Sequence, residues 1–364
     1  PPPAVPLAPG CVGAPSVAPW PSLVESGRGE WAWAHNAIHL GFFDTRSSAR
    51  LNEYEAVLKL ATHVEGSHVT IVPHAILFYD PGPLLPDGFV LHNLQHFRHG
   101  TAVSDGGNRS TLAQCLYSNL MRLCHGPGRE YVWKPLLHLM LPPSIDRILL
   151  LDTDTVVLKP LSQLWRAFHE FGPSTVLGLS HEQSNLYEMD SGWKESGKNG
   201  GVQLLNLRRM RTSHEYNLAL DYFGRGEFPK RIGYLGDQTL YTHMAGKWPT
   251  LFHQLGCEWN RQISPHFGFA NVTVHQCPRP CAILHANDNR LKCVAAAMQK
   301  HLASCKLWHG FIDDLQHNVA RPADAPIPPN CPNHRLNDQN LFHGQDRRSF
   351  PISMRTYFWD CCLT

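Results

Sequence analysis

Residues 147–154 read RILLLDTD, and this stretch decides the fold. From Arg147 to Leu151 the chain is a continuous apolar run, as a central strand of a parallel sheet requires. It ends abruptly in Asp152-Thr153-Asp154. LSQLWRAFHEF (161–171) then reads as an amphipathic helix and STVLGLS (174–180) as another short strand. Strand, helix, strand in that order predicts a parallel α/β sheet. In such sheets ligands bind beyond the carboxyl ends of the strands, where the two aspartates stand.

Outward from this centre the pattern continues in both directions. Residues 50–64 (RLNEYEAVLKLATHV) space apolar groups at helical intervals, and HVTIVPHAILFY (68–79) reads as a buried strand. Residues 81–110, full of Gly, Pro, Asn and Asp, read as a loop. TLAQCLYSNLMRLC (111–124) predicts a helix that Ser110 or Thr111 can cap. YVWKPLLHLML (131–141) predicts a second short helix, with Pro135 tolerable only near its first turn. NGGVQLLNL (199–207) is a strand entered through two glycines, LGDQTLYTHMA (235–245) the start of a helix, and CAILHAN (281–287) a short strand running into His285. Residues 1–30 read as a Pro/Gly-rich linker, 31–318 as a single domain, and 319–364 as an irregular, cysteine-containing tail.

Composition narrows the class. Among 364 residues, 43% are hydrophobic and 17% charged, which supplies a core and excludes wholesale disorder. A net charge of +2 from 32 basic and 30 acidic side chains argues against a dedicated nucleic-acid binder. The 23 histidines would make the protein distinctly basic near pH 6. No run of 18 apolar residues occurs, so membrane association is expected only through a segment outside this chain, which begins at Pro1 in PPPAVPLAPG. Eleven cysteines and two sequons, Asn108-Arg-Ser110 and Asn271-Val-Thr273, point to an oxidising, secretory compartment. The plainer alternative is a cytosolic chain with buried thiols.

The chemistry is carried by few residues. The carboxylates of Asp152 and Asp154 repel, so the pair calls for a cation or a shared proton. Oxygen ligands suit Mg²⁺ or Mn²⁺, and an imidazole such as that of His285 tilts the choice toward Mn²⁺. Read alone, such a pair is more often an exposed turn; the buried strand before it favours the cation. Asn199-Gly200-Gly201 lets the backbone approach a ligand closely, or makes a tight turn. Asp237-Gln238 is a helix start, or a carboxylate and an amide facing a ligand. Lys134 is a point charge for phosphate, or a surface lysine. CPRPC (277–281) with His285 offers three zinc ligands at unusual spacing, so a disulfide is the better reading. Trp193 and Trp259 offer stacking faces for a sugar, although Trp259 reads rather as core.

LLLDTDTVVLKPLSQLW, NGGVQLLNL, LGDQTLY and LHAN, in that order, resemble glycosyltransferase family 8. LGDQTLYTHMAGKWPTLFHQLGCEWNRQ resembles its xyloside xylosyltransferase branch. YVWKPLLHLMLPPSIDRILLLDTD and VLGLSHEQSNLYEMDSGW resemble the xylosyltransferase domain of LARGE-type enzymes. The resemblance covers about residues 131–293. It implies a GT-A, Rossmann-like domain with a mixed, mostly parallel central sheet. It further implies a retaining transferase that moves a sugar, xylose above all, from a UDP-sugar to a hydroxyl of a glycan or glycoprotein. Such enzymes work with Mn²⁺ in the lumen of the endoplasmic reticulum or Golgi. A family 8 hexosyltransferase using UDP-glucose or UDP-galactose is the alternative donor reading, and a catalytically silent glycan-binding relative the alternative class.

By the same resemblance Asp152, Asp154 and His285 are metal ligands. Lys134, Asp152, Gly200, Gly201 and Asn287 line the donor, and Asn199, Asp237 and Gln238 lie at the catalytic centre. Apart from the resemblance, Asn260 is expected with Trp193 and Trp259 at the acceptor. Cys257 and Cys277 match a family disulfide. The family's Asn-Ser-Gly reads Asn199-Gly200-Gly201 here. Its first β-strand, which helps bind uridine, has no counterpart recognisable in residues 31–75.

Overall fold

The computed structural model describes residues 37–44, 51–67, 69–99, 108–123, 126–183, 197–225, 236–262, 277, 279 and 281–285. The expected linker and tail, Trp193, Asn287 and the Asn271 sequon lie outside these residues, and Asn108 opens a helix.

RILLL folds as β4, Ile148–Leu151, buried throughout. Leu149 and Leu151 point into one apolar core with Ile38, Leu40, Phe42, Leu77 and Leu204. Ile148 and Leu150 point into the other, with Phe43, Ile76, Phe78, Leu177 and Leu205. Side chains alternate across a strand, so a sheet covered on both faces needs apolar residues at consecutive positions, and each contributes about 1.5–3 kcal/mol of burial.

Seven strands build the main sheet: β1 (Ala37–Asp44), β2 (Thr70–Leu77), β3 (Val90–Asn93), β4, then β6 (Leu177–His181), β7 (Lys198–Leu205) and β8 (Phe252–Leu255), in the order β3-β2-β1-β4-β7-β6-β8. Only β7 runs against its neighbours β4 and β6, so the sheet is mixed and mostly parallel. A small second sheet holds β5 (Thr155–Val157), β10 (Ile283–His285) and β9 (Arg261–Gln262) in the order β5-β10-β9. Helix α1, Leu51–Glu65, lays Leu51, Tyr54, Val57 and Ala61 on one face of the main sheet, the 3-to-4-residue spacing expected of an amphipathic helix. Helices α2 (Gln95–His99) and α3 (Asn108–Leu123) follow β3.

Several sequence expectations are corrected. A central strand exists within residues 31–75: β1, paired to both β2 and β4. Its apolar run is broken by Gly41, because Leu150 and Ile148 of β4 fill the space of the missing side chain, 2.5 and 2.7 Å from where a Cβ would stand. The 81–110 stretch contains β3 and α2 rather than loop alone; β3 is a short, largely exposed edge strand with little apolar signal. Residues 131–141 do not form one helix. A 3-10 segment runs over Gly126–Leu136 and α4 begins only at Leu137, ending at Met140, because Pro135 cannot continue an α-helix from its N-terminal side. The helix expected over 161–171 is α-helical only as α5, Leu161–Trp165, and 3-10 from Arg166 to Glu170. Among the described residues no helix is long and apolar enough to cross a membrane.

Candidate active site

The strand order reverses direction between β1 and β4, and the crevice beyond their carboxyl ends is where α/β sheets hold ligands. Asp152 leaves β4 there. Its turn is closed by the Thr155 backbone N–H and hydroxyl, both donating to the Asp152 carbonyl at 3.2 and 2.8 Å. The turn folds Asp152 and Asp154 back toward each other, and Thr155 opens β5. In β5–β10 pairing Thr155 lies opposite His285. His285 Nε2 therefore stands 3.4 Å from Asp154 Oδ1 and 3.8 Å from Asp152 Oδ2. One ligand atom from each of the three lies within 4.8 Å of the others. These separations are too long for hydrogen bonds and short enough for one cation to span. Asp154 and His285 are buried, and Asp152, with 28% of its side chain exposed, opens the group to solvent.

The reversed strand β7 brings Asn199-Gly200-Gly201 to the same edge. The Asp152 N–H donates to the Gly201 carbonyl at 2.9 Å. A Cβ on Gly201 would collide with the His285 ring, and one on Gly200 would come within 2.7 Å of Asp237 Oδ2. At Gly201 the imidazole fills the space of a side chain, and at Gly200 any side chain would require the Asp237 carboxylate to shift.

Asp237 begins helix α8, Asp237–Lys247, directly after Gly236, whose backbone sits at φ 57°, ψ −114°. Only glycine adopts that conformation without strain. Two helices precede it, α6 (Leu207–Thr212) and α7 (His214–Gly224). The Asp237 carboxylate accepts from Gln203 Nε2 at 3.1 Å, and Tyr241 donates to Gln203 Oε1 at 3.1 Å. Burial pushes the Asp237 carboxyl up to about 6, against the opposing pull of Lys134. Gln238 is half-buried, its Cγ 3.3 Å from the position of a Gly200 Cβ.

Lys134 is almost wholly buried. Its ammonium donates to Asp152 Oδ1 at 2.8 Å and to the Gly200 carbonyl at 3.2 Å, and lies 3.7 Å from Asp237 Oδ2. Burial alone would favour the neutral amine, but Asp152 and Asp237 outweigh it and hold the group charged. The sequence expectation of a phosphate-facing lysine meets a lysine that yokes two carboxylates.

Asn260, expected beside the acceptor, is fully buried and bonded to Asn199 and His285. Trp259 packs half-buried against the second core, in line with its core reading. Cys257 and Cys277 form a disulfide and so offer no thiolates to zinc; Cys281 of CPRPC is a buried free thiol, pushed up to about 12 by burial. Two residues escaped sequence reasoning. Asp44 ends β1 as Asp152 follows β4, is buried, and accepts from Tyr79 at 3.3 Å; the apolar run ending in Asp (HLGFFD) is the signal that could have found it. Glu182, just past β6, carried no local signal.

The fold is the GT-A fold of glycosyltransferases. Mouse xyloside xylosyltransferase 1, in its apo crystal structure, superposes with a TM-score of 0.51 at 21% identity, over 70% of this chain and 98% of that one. In sequence, the chain is 30% identical over 178 residues to xyloside xylosyltransferase 1 of Mus musculus, covering 42% of this chain and 45% of that protein. It is 32% identical over 152 residues to the xylosyl- and glucuronyltransferase LARGE1 of Homo sapiens, covering 39% of this chain and 20% of that protein. The chain thus spans less than half the length of the curated relatives it matches. No protein-family profile matches it.

Proposed function

We propose that this chain is a retaining glycosyltransferase domain that moves xylose from UDP-xylose to a glycan hydroxyl, with Mn²⁺ held by Asp152, Asp154 and His285. The observation that carries the reading is the convergence of those three ligand atoms at the carboxyl edge of a GT-A sheet. The donor set fits the ion. Two carboxylates and an imidazole nitrogen, all acceptors, face one point, and the other ring nitrogen is already bonded to Asn260. Such an ion would neutralise charge on the leaving diphosphate.

The chain's own residues do the rest. Lys134 holds Asp152 and Asp237 in place and keeps positive charge at the donor edge. The UDP moiety would lie over the carboxyl ends of β1 and β4, where Asp44 offers a buried carboxylate to an N–H donor of the base. Asp237 and Gln238 hold the sugar at the start of α8. The carboxylates around the donor edge are engaged: Asp152 and Asp154 with the ion, Asp237 with Gln203 and Lys134, Glu182 with Asn199. This favours front-face attack by the acceptor hydroxyl over a covalent glycosyl-enzyme. The relatives' names support xylose as the sugar. Their kind and the Cys257–Cys277 disulfide support a luminal, secretory location.

The test is a panel of UDP-sugars with purified protein, with UDP release measured with Mn²⁺ and in excess EDTA. UDP-xylose should be turned over fastest, and Asp154→Asn should lower the rate at least about 100-fold. Full activity in EDTA would remove the metal role. A clear preference for UDP-glucose or UDP-galactose would replace xylose with a hexose. Absence of UDP binding by calorimetry would leave a silent glycan-binding relative.

A further inference from the structure

Four buried side chains run in one line away from the cation group. His285 Nδ1 lies 2.9 Å from Asn260 Oδ1, Asn260 Nδ2 donates to Asn199 Oδ1 at 2.8 Å, and Asn199 Nδ2 donates to Glu182 Oε2 at 2.9 Å. Asn199 and Asn260 are completely buried, His285 and Glu182 nearly so.

The direction of every bond in this line is dictated from its far end. A carboxylate only accepts, so Asn199 must turn its NH₂ toward Glu182 and its oxygen away. The Gly201 backbone N–H, donating to Asn199 Oδ1 at 3.0 Å, enforces the same orientation. That oxygen takes the NH₂ of Asn260, which leaves the Asn260 oxygen facing His285. An oxygen acceptor there calls for a proton on Nδ1. In the neutral ring Nε2 is then bare, and it is the atom that faces Asp152 and Asp154.

We propose that Glu182, Asn199 and Asn260 are positioning residues that write the tautomer of His285, so that its lone pair is presented to the cation. The proposal rests on the reading of Asp152, Asp154 and His285 as a divalent-cation site. Outer partners of a metal-bound imidazole commonly set its orientation and basicity; here the setting is relayed through two amides. The line is held rigid from the side. Gln183 and Gln262 exchange hydrogen bonds, each backbone N–H donating to the other's side-chain oxygen at 3.1 Å. This ties the chain just after Glu182 to the chain just after Asn260. Gln183 Nε2 also donates to the Asn260 carbonyl at 3.2 Å.

The test reads the tautomer itself. In protein labelled with ¹⁵N-histidine, long-range ¹H–¹⁵N spectra without metal should show His285, identified by its loss in His285→Gln, protonated at Nδ1. Asn260→Leu should convert it in whole or part to the Nε2-protonated form. Mn²⁺ affinity, followed by the electron paramagnetic resonance of the free ion, should fall about 10–100-fold. Asn260→Asp keeps an acceptor for His285 and should keep the Nδ1–H form. If Asn260→Leu does not fold, Asn260→Ala carries the same comparison. A folded Asn260→Leu or Asn260→Ala with the wild-type tautomer and Mn²⁺ affinity within about twofold overturns the proposal. Failure to transfer any UDP-sugar would sink the transferase reading and leave the tautomer result standing. An active, Mn²⁺-dependent chain with an indifferent tautomer would sink only the relay.

Discussion

The imidazole of His285 occupies the space that a side chain on Gly201 would need. The two residues belong to different sheets, Gly201 to β7 and His285 to β10, so this contact is where the sheets meet over the cation group. Gly201→Ala must push one strand away from the other. Destabilisation of about 1–3 kcal/mol is expected from overpacking, with a loss of Mn²⁺ affinity of at least about tenfold. Urea unfolding and Mn²⁺ titration of the same sample check both; wild-type values would show that β10 moves freely.

Gly200 is the companion case. The serine of the family's Asn-Ser-Gly turn would put a Cβ 2.7 Å from Asp237 Oδ2. Gly200→Ser is therefore expected to lower stability and slow transfer, although serine stands there in the family that the sequence resembles. A variant as active and stable as wild type would mean that Asp237 has another resting place.

Lys134 contacts both Asp152 and Asp237. Removing one member of a buried ion pair leaves an uncompensated charge and costs about 3–5 kcal/mol. Lys134→Met should show that loss in urea unfolding. Because Asp237 already titrates high through burial, part of the loss should return on acidification toward pH 6, as that carboxyl takes a proton. A pH-independent loss would contradict this account.

Three histidines form a separate ladder across β1, β2 and β3. His39 Nδ1 meets His74 Nε2 at 2.8 Å and His74 Nδ1 meets His92 Nε2 at 2.9 Å. Burial pulls His74 down to about 3 and His92 down to about 4, each aided by its histidine neighbours, and it lowers His39 as well. A histidine of depressed pKa adds nothing to the pH dependence above about 6.5, where folded and unfolded chains are both neutral. Below that, the unfolded chain takes up protons first and stability falls until the folded pKa is reached. Unfolding free energy should therefore drop between pH 7 and 5, by up to about 1.4 kcal/mol per pH unit for the deeply buried His74 and less for its more exposed neighbours. His74→Gln should have a shallower slope than wild type; equal slopes would show that His74 is not held neutral.

How far the sequence reaches into this structure depends on the kind of signal. RILLL and the turn after it are legible because burial on both faces leaves an unbroken apolar run. The start of α8 is legible because Gly236 and Asp237 are local chemistry. The reversal of β7 is not local: NGGVQLLNL reads the same in either direction, and only its pairing with Leu151 and Leu177 decides. β1 was hidden by Gly41, a residue shaped by a neighbour far along the chain. The burial of Asn260 against Asn199 and His285 is not legible either, because these partners are joined by folding alone.

Gly236 offers a test of such a local signal. At φ 57° a Cβ is strained, and Gly236→Ala should cost about 1–3 kcal/mol. Rotation at that point would also turn Asp237 and Gln238 away from Gly200, so transfer should fall more than stability alone explains. Activity measured well below the melting temperature separates the two effects.

β10, the last described strand in the chain, carries His285 of the candidate cation group. A ribosome would have finished the seven-stranded sheet before this strand emerged, and pairings between distant segments are slow to form. The main sheet can thus be complete while His285 is still unmade. A fragment ending before Ile283 would lack His285, so cation capture by the proposed group would report that synthesis has passed β10 rather than that the main sheet has folded.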